Sequence, residues 1–591
     1  MKFTYRYSGF YAHMKDTSLP LLVSWRIGQP ESVLSGENSA VQWLHPTRKE
    51  PLPQMTEGLV LLAGLVWQAT TADPRSIVST VTDSIARGHY TDLATISENA
   101  AGCFIKQDGT IYLWVGFSSK DSIFFRTDGP RLRWSTNPLD LIHDASEMDL
   151  WALRRCCHGD DVFIYSSLHR VEQGQLVTIH PARTISTQQI DCFRPDSFLT
   201  SRTTTLETFR EPTRKALQLA VQPLLSERVG MLLSGGSGSA AILATLKAAG
   251  VDTIAYHMES PDPAGSEYHF ARLVCEALDI PLHRISMDTE ASYLSSQWIF
   301  SHPYGHPWAR FYEQVAQQAQ KDRISLLVTG GGDDSAFGPG LQYGLHAILS
   351  ARLAWKEKRA MLRRILATDW NVFAILRSLL PIHSLIGPSS LSGVKKEDHE
   401  MRRADFLTPI SKPRAWDDIA LQHAPCFAPQ AIALEQAILQ PAGIRLYNPY
   451  HQRAVQAISL ALPDAYKLTP NIFPQFTRTA RIIDKPVLRL AFDDVPAEVM
   501  WRTWNVWTQT PGQRFCLHQT ARLQDLLGGH SHLATLGIAD PSRLECVLES
   551  RVLIRKNYQT LVTSAMVELF LRNAWQPQLK RGGPVWANTI N

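Results

Sequence analysis

The stretch from Val229 to Gly250, VGMLLSGGSGSAAILATLKAAG, constrains this chain more than any other. A strand-length apolar run enters a glycine- and serine-rich turn, and a small-residue helix pattern leaves it and stops at Gly250. The rhythm then repeats. TIAYHM, LHRISM and ISLLVTG read as strands, SEYHFARLVCEALD reads as an amphipathic helix, and a further helix is expected before ISLLVTG. Strands alternating with helices predict an α/β fold with a parallel sheet and crossover helices. Ligands of such sheets lie beyond the carboxyl ends of the strands. Both glycine-rich stretches, SGGSGS and TGGGDDSAFG, fall at those ends.

The first two hundred residues have a different period. GCFIKQDGTIYLWVGF reads as two strands around Asp108-Gly109, and SIFFRTDGPRLRWSTN as two more around Asp128-Gly129. DVFIYSSLHRVEQGQLVTIHP adds strands around Gln173-Gly174. A polar, turn-rich linker is expected near residues 193–206, and LETFREPTRKALQLAVQPLLSE reads as a helix with Pro212 in its early part. Beyond about residue 345 the pattern is mainly helical, and ARLAWKEKRAMLRRIL is its basic part, read as a solvated helix face. A chain of 591 residues is too long for one core. The expected division is 1–200 and 207–591.

Composition narrows the function classes. With 44% hydrophobic and 19% charged residues the chain is globular. A net charge of +4 on so large a surface argues against nucleic acid as the main partner. No apolar run reaches the roughly 18–20 residues that span a bilayer, so no membrane insertion is expected. The first residues, MKFTYRYSGFYAHMK, carry no signal-peptide core. The eight cysteines show no metal-ligand spacing and are read as reduced thiols of a cytoplasmic protein.

The two loops carry the chemistry. In Ser234-Gly235-Gly236-Ser237-Gly238-Ser239 the glycines let backbone N–H groups turn toward an anion, and the helix after them adds its positive end. The three serines offer hydroxyl donors to phosphate oxygens. No Lys comes after the glycines, which excludes a Walker loop. In Thr329-Gly330-Gly331-Gly332-Asp333-Asp334 two carboxylates end a glycine turn at a strand end, which suits Mg²⁺, a hard cation that shares oxygen ligands with substrate phosphates. The alternative is that an Asp there caps a helix. None of the 20 histidines has a paired-ligand spacing. His302 and His306, around Tyr304-Gly305, are candidates to face a substrate pocket.

These residues resemble the asparagine synthetase family of the glutamine-dependent type. SGGSGS resembles its pyrophosphatase loop Ser-Gly-Gly-x-Asp-Ser, and TGGGDDSAFG its second motif, with Asp334 at the metal-ligand position. GSEYHFARLVCEALDIPLHRI resembles the intervening segment, with Glu267 at the acidic position. RLYNPYHQRAVQAISLALP resembles the Arg-x-Pro-Phe-x-Asp stretch, and DKPVLRLAFDDVPAEVMWR the segment leading to a late catalytic Lys. The resemblance implies an N-terminal Ntn-hydrolase-like α+β sandwich and a C-terminal adenine-nucleotide α-hydrolase-like (PP-loop) synthetase domain. It implies ATP and Mg²⁺, held by Leu233, Ser234, Gly235, Gly236, Ser237, Gly238, Ser239, Met258, Thr329, Gly330 and Gly331, with Asp334 and Asp333 toward the metal.

Three departures shape the expected function. Lys2 stands where ammonia-producing members carry a nucleophilic Cys, and no Cys precedes Cys103. That loss is shared by the ring-forming branches, in which an amine already on the substrate attacks an acyl-adenylate. Gly238 replaces the loop Asp, a charge that Asp333 is placed to offset. The late Lys would fall at Trp504 or Asn505, and no Lys lies between Lys485 and Lys556. Arg502 is the candidate substitute, and with Asp334 it forms the catalytic set.

Length, the triple glycine and the Trp-bearing helical region resemble the lasso-peptide macrolactam cyclases most. The implied reaction is ATP-dependent, AMP-forming closure of an isopeptide ring in a precursor peptide, between its N-terminal amine and an Asp or Glu side chain. A leader-peptide protease or a recognition protein is the implied partner. The alternatives are a catalytically degenerate homologue that binds a peptide or a partner, and a β-lactam or other small-molecule amide ligase.

Overall fold

The structure, a computed structural model, describes residues 4–7, 10–13, 22–26, 58–65, most of 81–190, 206–259, 266–286, 298–303, 309–338, 433–462, 464–470, 482–502 and 509–575, together with Trp355 and Arg359. The expected linker near 193–205, the basic stretch Arg352–Arg364 apart from those two residues, His306, and Trp504 with Asn505 lie outside them.

The first part of the chain is built from antiparallel strands. One sheet orders Ile185–Gln189, Gln175–Ile179, Ile111–Val115, Asn99–Lys106 and Gly58–Leu65. A second orders Leu22–Arg26, Arg131–Ser135, Ile123–Asp128 and His169–Val171, and Thr4–Tyr7 pairs with Phe10–His13 in a two-stranded sheet. The strands either side of Asp108-Gly109 pair with each other, as do those either side of Asp128-Gly129. Gly174 behaves differently. His169–Val171 pairs in one sheet and Gln175–Ile179 in the other, so this turn carries the chain across rather than closing a hairpin. Gly174 has φ +72°, and its N–H is bonded to the Val115 carbonyl on the receiving sheet.

The second part holds a five-stranded sheet ordered Leu282–Ser286, Asp252–Glu259, Arg228–Leu232, Leu326–Thr329 and Arg445–Tyr447, and every pair in it is parallel. The expected parallel α/β sheet is therefore present. The edge strand Arg445–Tyr447 lies in the part beyond residue 345 that was expected to be mainly helical. At three residues it is too short for its own period to register.

Both faces of this sheet are covered, which is why its strands read as continuous apolar runs. Val229, Met231, Ala255, Leu326 and Val328 join one buried cluster with the helices Arg210–Val221, Ser237–Ala248 and Tyr268–Leu278. Ile254, Tyr256, Leu327 and Leu446 join another with Ala309–Lys321 and the C-terminal helices, of which Arg551–Phe570 is the longest. That second cluster also takes in Leu153, Cys156 and Cys157 from the helix Leu150–Cys157. The antiparallel and parallel parts thus share a core.

A polar seam joins them as well. The Asn99 and Gln452 side-chain amides exchange two hydrogen bonds, of 2.9 and 3.0 Å. Ser118 donates to the His451 carbonyl at 2.9 Å, and Glu98 accepts from the Arg453 N–H at 3.0 Å. Lys120 reaches the Leu446 carbonyl and lies 3.9 Å from the buried Glu435, which also pairs with Arg445 at 2.8 Å. Among the described residues no helix is long and apolar enough to cross a membrane.

Candidate functional site

Strand order locates the site. From Arg228–Leu232 the chain moves outward through Asp252–Glu259 to Leu282–Ser286, then returns to the other side of the first strand at Leu326–Thr329. The reversal falls between Leu232 and Thr329, which are register partners. A crevice opens at such a switch point beyond the strand ends. The two glycine loops leave from these two strands.

The first loop is internally braced. Ser239 Oγ lies 3.0 Å from Ser234 Oγ, accepts from the Ser234 N–H at 3.3 Å and donates to the Gly236 carbonyl at 3.2 Å. Ser234 Oγ also accepts from the Gly236 N–H at 3.2 Å. Gly235 takes φ +89°, and a Cβ there would meet the Glu267 carbonyl at 2.9 Å. Ser237 and Ser239 are buried in the first turn of the helix, while Ser234 is exposed. Leu233 donates to the Tyr256 carbonyl and accepts from His257 Nδ1 at 2.8 Å, tying the loop to the strand that carries Met258.

The second loop packs directly on the first. A Cβ on Gly330 would stand 2.7 Å from Ser239 Cα, so the loops approach at backbone distance. Thr329 Oγ1 accepts from the Gly331 N–H at 3.2 Å. Two residues just past the edge strand Arg445–Tyr447 tie both loops down. Asn448 donates to the Gly331 carbonyl at 2.8 Å, and the buried Tyr450 hydroxyl donates to the Gly238 carbonyl at 2.8 Å.

Asp333 and Asp334 open the short helix Asp333–Phe337. Lys485 Nζ lies 2.6 Å from Asp333 Oδ2 and 2.5 Å from Asp334 Oδ1. Asp333 is largely buried and Asp334 is exposed. Burial pushes the Lys485 pKa down, and the two carboxylates more than offset this, so the ammonium stays charged. Lys485 is a site residue that motif reading missed. It lies 152 positions from Asp333, and nothing local to DKPVL marks it. Two carboxylates converging on one ammonium is an arrangement that also fits a divalent cation. Among the described residues no three His, Cys, Asp or Glu side chains gather as a ready-made metal cage. A cation held by this pair would complete its shell with phosphate oxygens and water.

Arg502 sits beneath the first loop. Its guanidinium lies 3.0 Å from Glu267 Oε1, donates to the Gly235 carbonyl at 3.1 Å and stacks over the Phe270 ring with 4.0 Å to the centroid. The side chain is 2% exposed. It holds the loop from behind, which is a positioning task. His302 is buried, with its ring nitrogens 2.7 Å from the Val162 carbonyl and 3.1 Å from the Pro303 carbonyl, so both nitrogens are engaged by backbone within the fold.

The arrangement offers a phosphate cradle, a carboxylate pair and a fixed ammonium in one crevice. The family model described as asparagine synthase matches residues 213–572, well over half of the chain. No curated protein matches it. Among solved structures, the U34-tRNA thiolase NcsA from Methanococcus maripaludis is 14% identical over 40% of this chain and 80% of its own, with a TM-score of 0.19. The glutamine phosphoribosylpyrophosphate amidotransferase from B. subtilis, complexed with ADP and GMP, is 9% identical over 50% and 59%, with a TM-score of 0.15. The allosteric regulatory enzyme of purine biosynthesis is 10% identical over 39% and 60%, with a TM-score of 0.17. This chain therefore spans about three fifths of the length of the last two.

Proposed function

The chain belongs to the asparagine synthase family, and from that premise we propose that it is an ATP-dependent, AMP-forming ligase that closes a macrolactam ring in a lasso-type precursor peptide. A side-chain carboxylate oxygen of the peptide attacks the α-phosphorus of ATP, the bond to the β-phosphate breaks, and pyrophosphate leaves. The peptide's N-terminal amine then attacks the acyl carbon. AMP departs with the electrons of the broken C–O bond, and the nitrogen gives up a proton. A folded peptide brings amine and acyl carbon together at high effective molarity.

The observation that carries this reading is the convergence of both glycine loops, the two aspartates and Lys485 at one switch point. The loop from Ser234 to Ser239 receives the β- and γ-phosphates, and Thr329-Gly330 lines the nucleotide through backbone groups. Asp333 and Asp334 would hold Mg²⁺, which when bound offsets phosphate charge. Lys485 supplies the positive charge that the family carries on its late Lys. Arg502 and Glu267 keep the loop in place. The Ntn-hydrolase-like identity of the first 200 residues belongs to the same proposal. Of the described thiols there, burial pushes Cys103 well up and Cys157 to about 12. Cys156, the third described thiol there, is buried as well, and a buried thiol is a poor nucleophile for freeing ammonia from glutamine, which favours an amine borne by the substrate.

A second reading, a homologue that binds a peptide or partner protein without turnover, is favoured by one fact. Lys485 already pairs with both aspartates, so its ammonium offsets one of their two charges before any metal binds. The test is ATP–pyrophosphate exchange in Mg²⁺ with a synthetic peptide carrying a free N-terminal amine and one Asp or Glu, beside its N-acetylated twin. Exchange is expected with both. A product lighter by one water is expected only with the free amine. Exchange with a free amino acid but with neither peptide refutes the peptide substrate. No exchange with any of them, while the peptide still binds, moves the conclusion to the second reading.

A further inference from the structure

Gly238 is the departure that most threatens a working site, and its surroundings explain it. A Cβ built on Gly238 would lie 2.1 Å from Asp333 Oδ2, 2.3 Å from its Cγ and 2.8 Å from its Cβ. The space a side chain at 238 would fill is thus already filled by the Asp333 carboxylate, arriving from the other side of the switch point. Asp333 does not swing away freely, because Lys485 holds its Oδ2 at 2.6 Å. The backbone around 238 is fixed too, by the Tyr450 hydroxyl on its carbonyl.

We infer that Gly238 and Asp333 form a transposed pair. The carboxylate that this position lacks is supplied across the sheet by Asp333, toward the same cation, and glycine at 238 is what admits it. Gly238 is then a requirement of the site and not a lesion in it. The inference rests on the reading of the crevice as a nucleotide–metal site. It does not depend on which amide is made.

It predicts a sign reversal. Gly238→Asp alone places a second carboxylate into occupied space and beside a like charge. It lowers Tm by about 2 °C or more and leaves cation binding no better than in the unaltered chain. Asp333→Gly weakens binding about ten-fold or more, because the number of ligand charges sets divalent affinity. Gly238→Asp/Asp333→Gly restores Tm to within about 2 °C of the starting protein and affinity to within about three-fold, since the carboxylate has been moved back and the space reopened.

The measurement is Mn²⁺ binding by electron paramagnetic resonance, in the presence of a non-hydrolysable ATP analogue, on the unaltered chain and its three variants, with Tm from each. No amide chemistry is involved, so inactivity toward peptides would fail the ligase reading and leave this result standing. Full recovery in the double variant from a weakened Asp333→Gly supports the inference. Three outcomes overturn it: Gly238→Asp alone binding Mn²⁺ more tightly at unchanged Tm, the double variant binding no better than Asp333→Gly, or the unaltered chain showing no Mn²⁺ binding.

Discussion

Replacing Arg502 by Met tests the assignment of its guanidinium to holding the first glycine loop. The structure gives Arg502 three partners: Glu267 at 3.0 Å, the Gly235 carbonyl at 3.1 Å and the Phe270 ring at 4.0 Å. Removing one member of a buried ion pair typically costs about 3–5 kcal/mol, because the other charge stays behind without compensation. Glu267 keeps 15% exposure, so water relieves part of that and the lower end applies. Met fills the space over Phe270 and recovers some packing, though not the cation–π attraction, about 2 kcal/mol for a desolvated guanidinium. The expected loss is about 3 kcal/mol.

Glu267→Gln is milder, since Arg502 retains Gly235 and Phe270, and the double variant should cost less than the sum by about 1–2 kcal/mol. Urea unfolding of the four proteins reads both quantities. Nucleotide affinity should fall in Arg502→Met and in Arg502→Lys alike, because a point charge does not reproduce the fork that spans Glu267 and the loop carbonyl. A loss under about 1 kcal/mol, or additive single effects, would refute the argument that this side chain braces the loop.

The geometry yields three further outcomes. Gly330→Ala drives a Cβ to 2.7 Å from Ser239 Cα and should cost about 1–3 kcal/mol and most nucleotide binding. Gly331→Ala, whose Cβ meets only Thr329 Oγ1 at 3.6 Å, should be close to neutral in the same thermal and binding assays. Burial lowers the His302 pKa to about 4, against two carbonyls that favour its charged form. Between about pH 6.5 and 4 the unfolded chain therefore binds more protons, and stability drops as the pH drops, by an amount on the order of 3 kcal/mol. His302→Gln should flatten that part of the stability–pH curve, and an unchanged slope would contradict a neutral buried imidazole. Gln452→Leu leaves the Asn99 amide facing an apolar group at the seam and should cost about 1–3 kcal/mol. Faster limited proteolysis between the antiparallel and parallel parts would report it, and Asn99→Leu/Gln452→Leu should cost less than the two singles together.

Features that depend on neighbours along the chain were legible in the sequence. The period of two before residue 190 and the strand–helix alternation after residue 207 are local facts, so both sheet types could be read. A glycine turn with serines or aspartates at a strand end is also a local pattern, and it marked both loops and the aspartate pair. The tertiary structure decided whatever depends on two distant segments sharing space. Gly174 was legible as a turn, but only packing decides that it changes sheets. Lys485 meets Asp333 across 152 positions, and the Tyr450 hydroxyl meets the Gly238 carbonyl across 212. Gly238 looked like a lost ligand because a sequence records that a side chain is missing without recording what fills its place. Volume exclusion between loops of different strands decides that, and it exists only once the sheet has assembled.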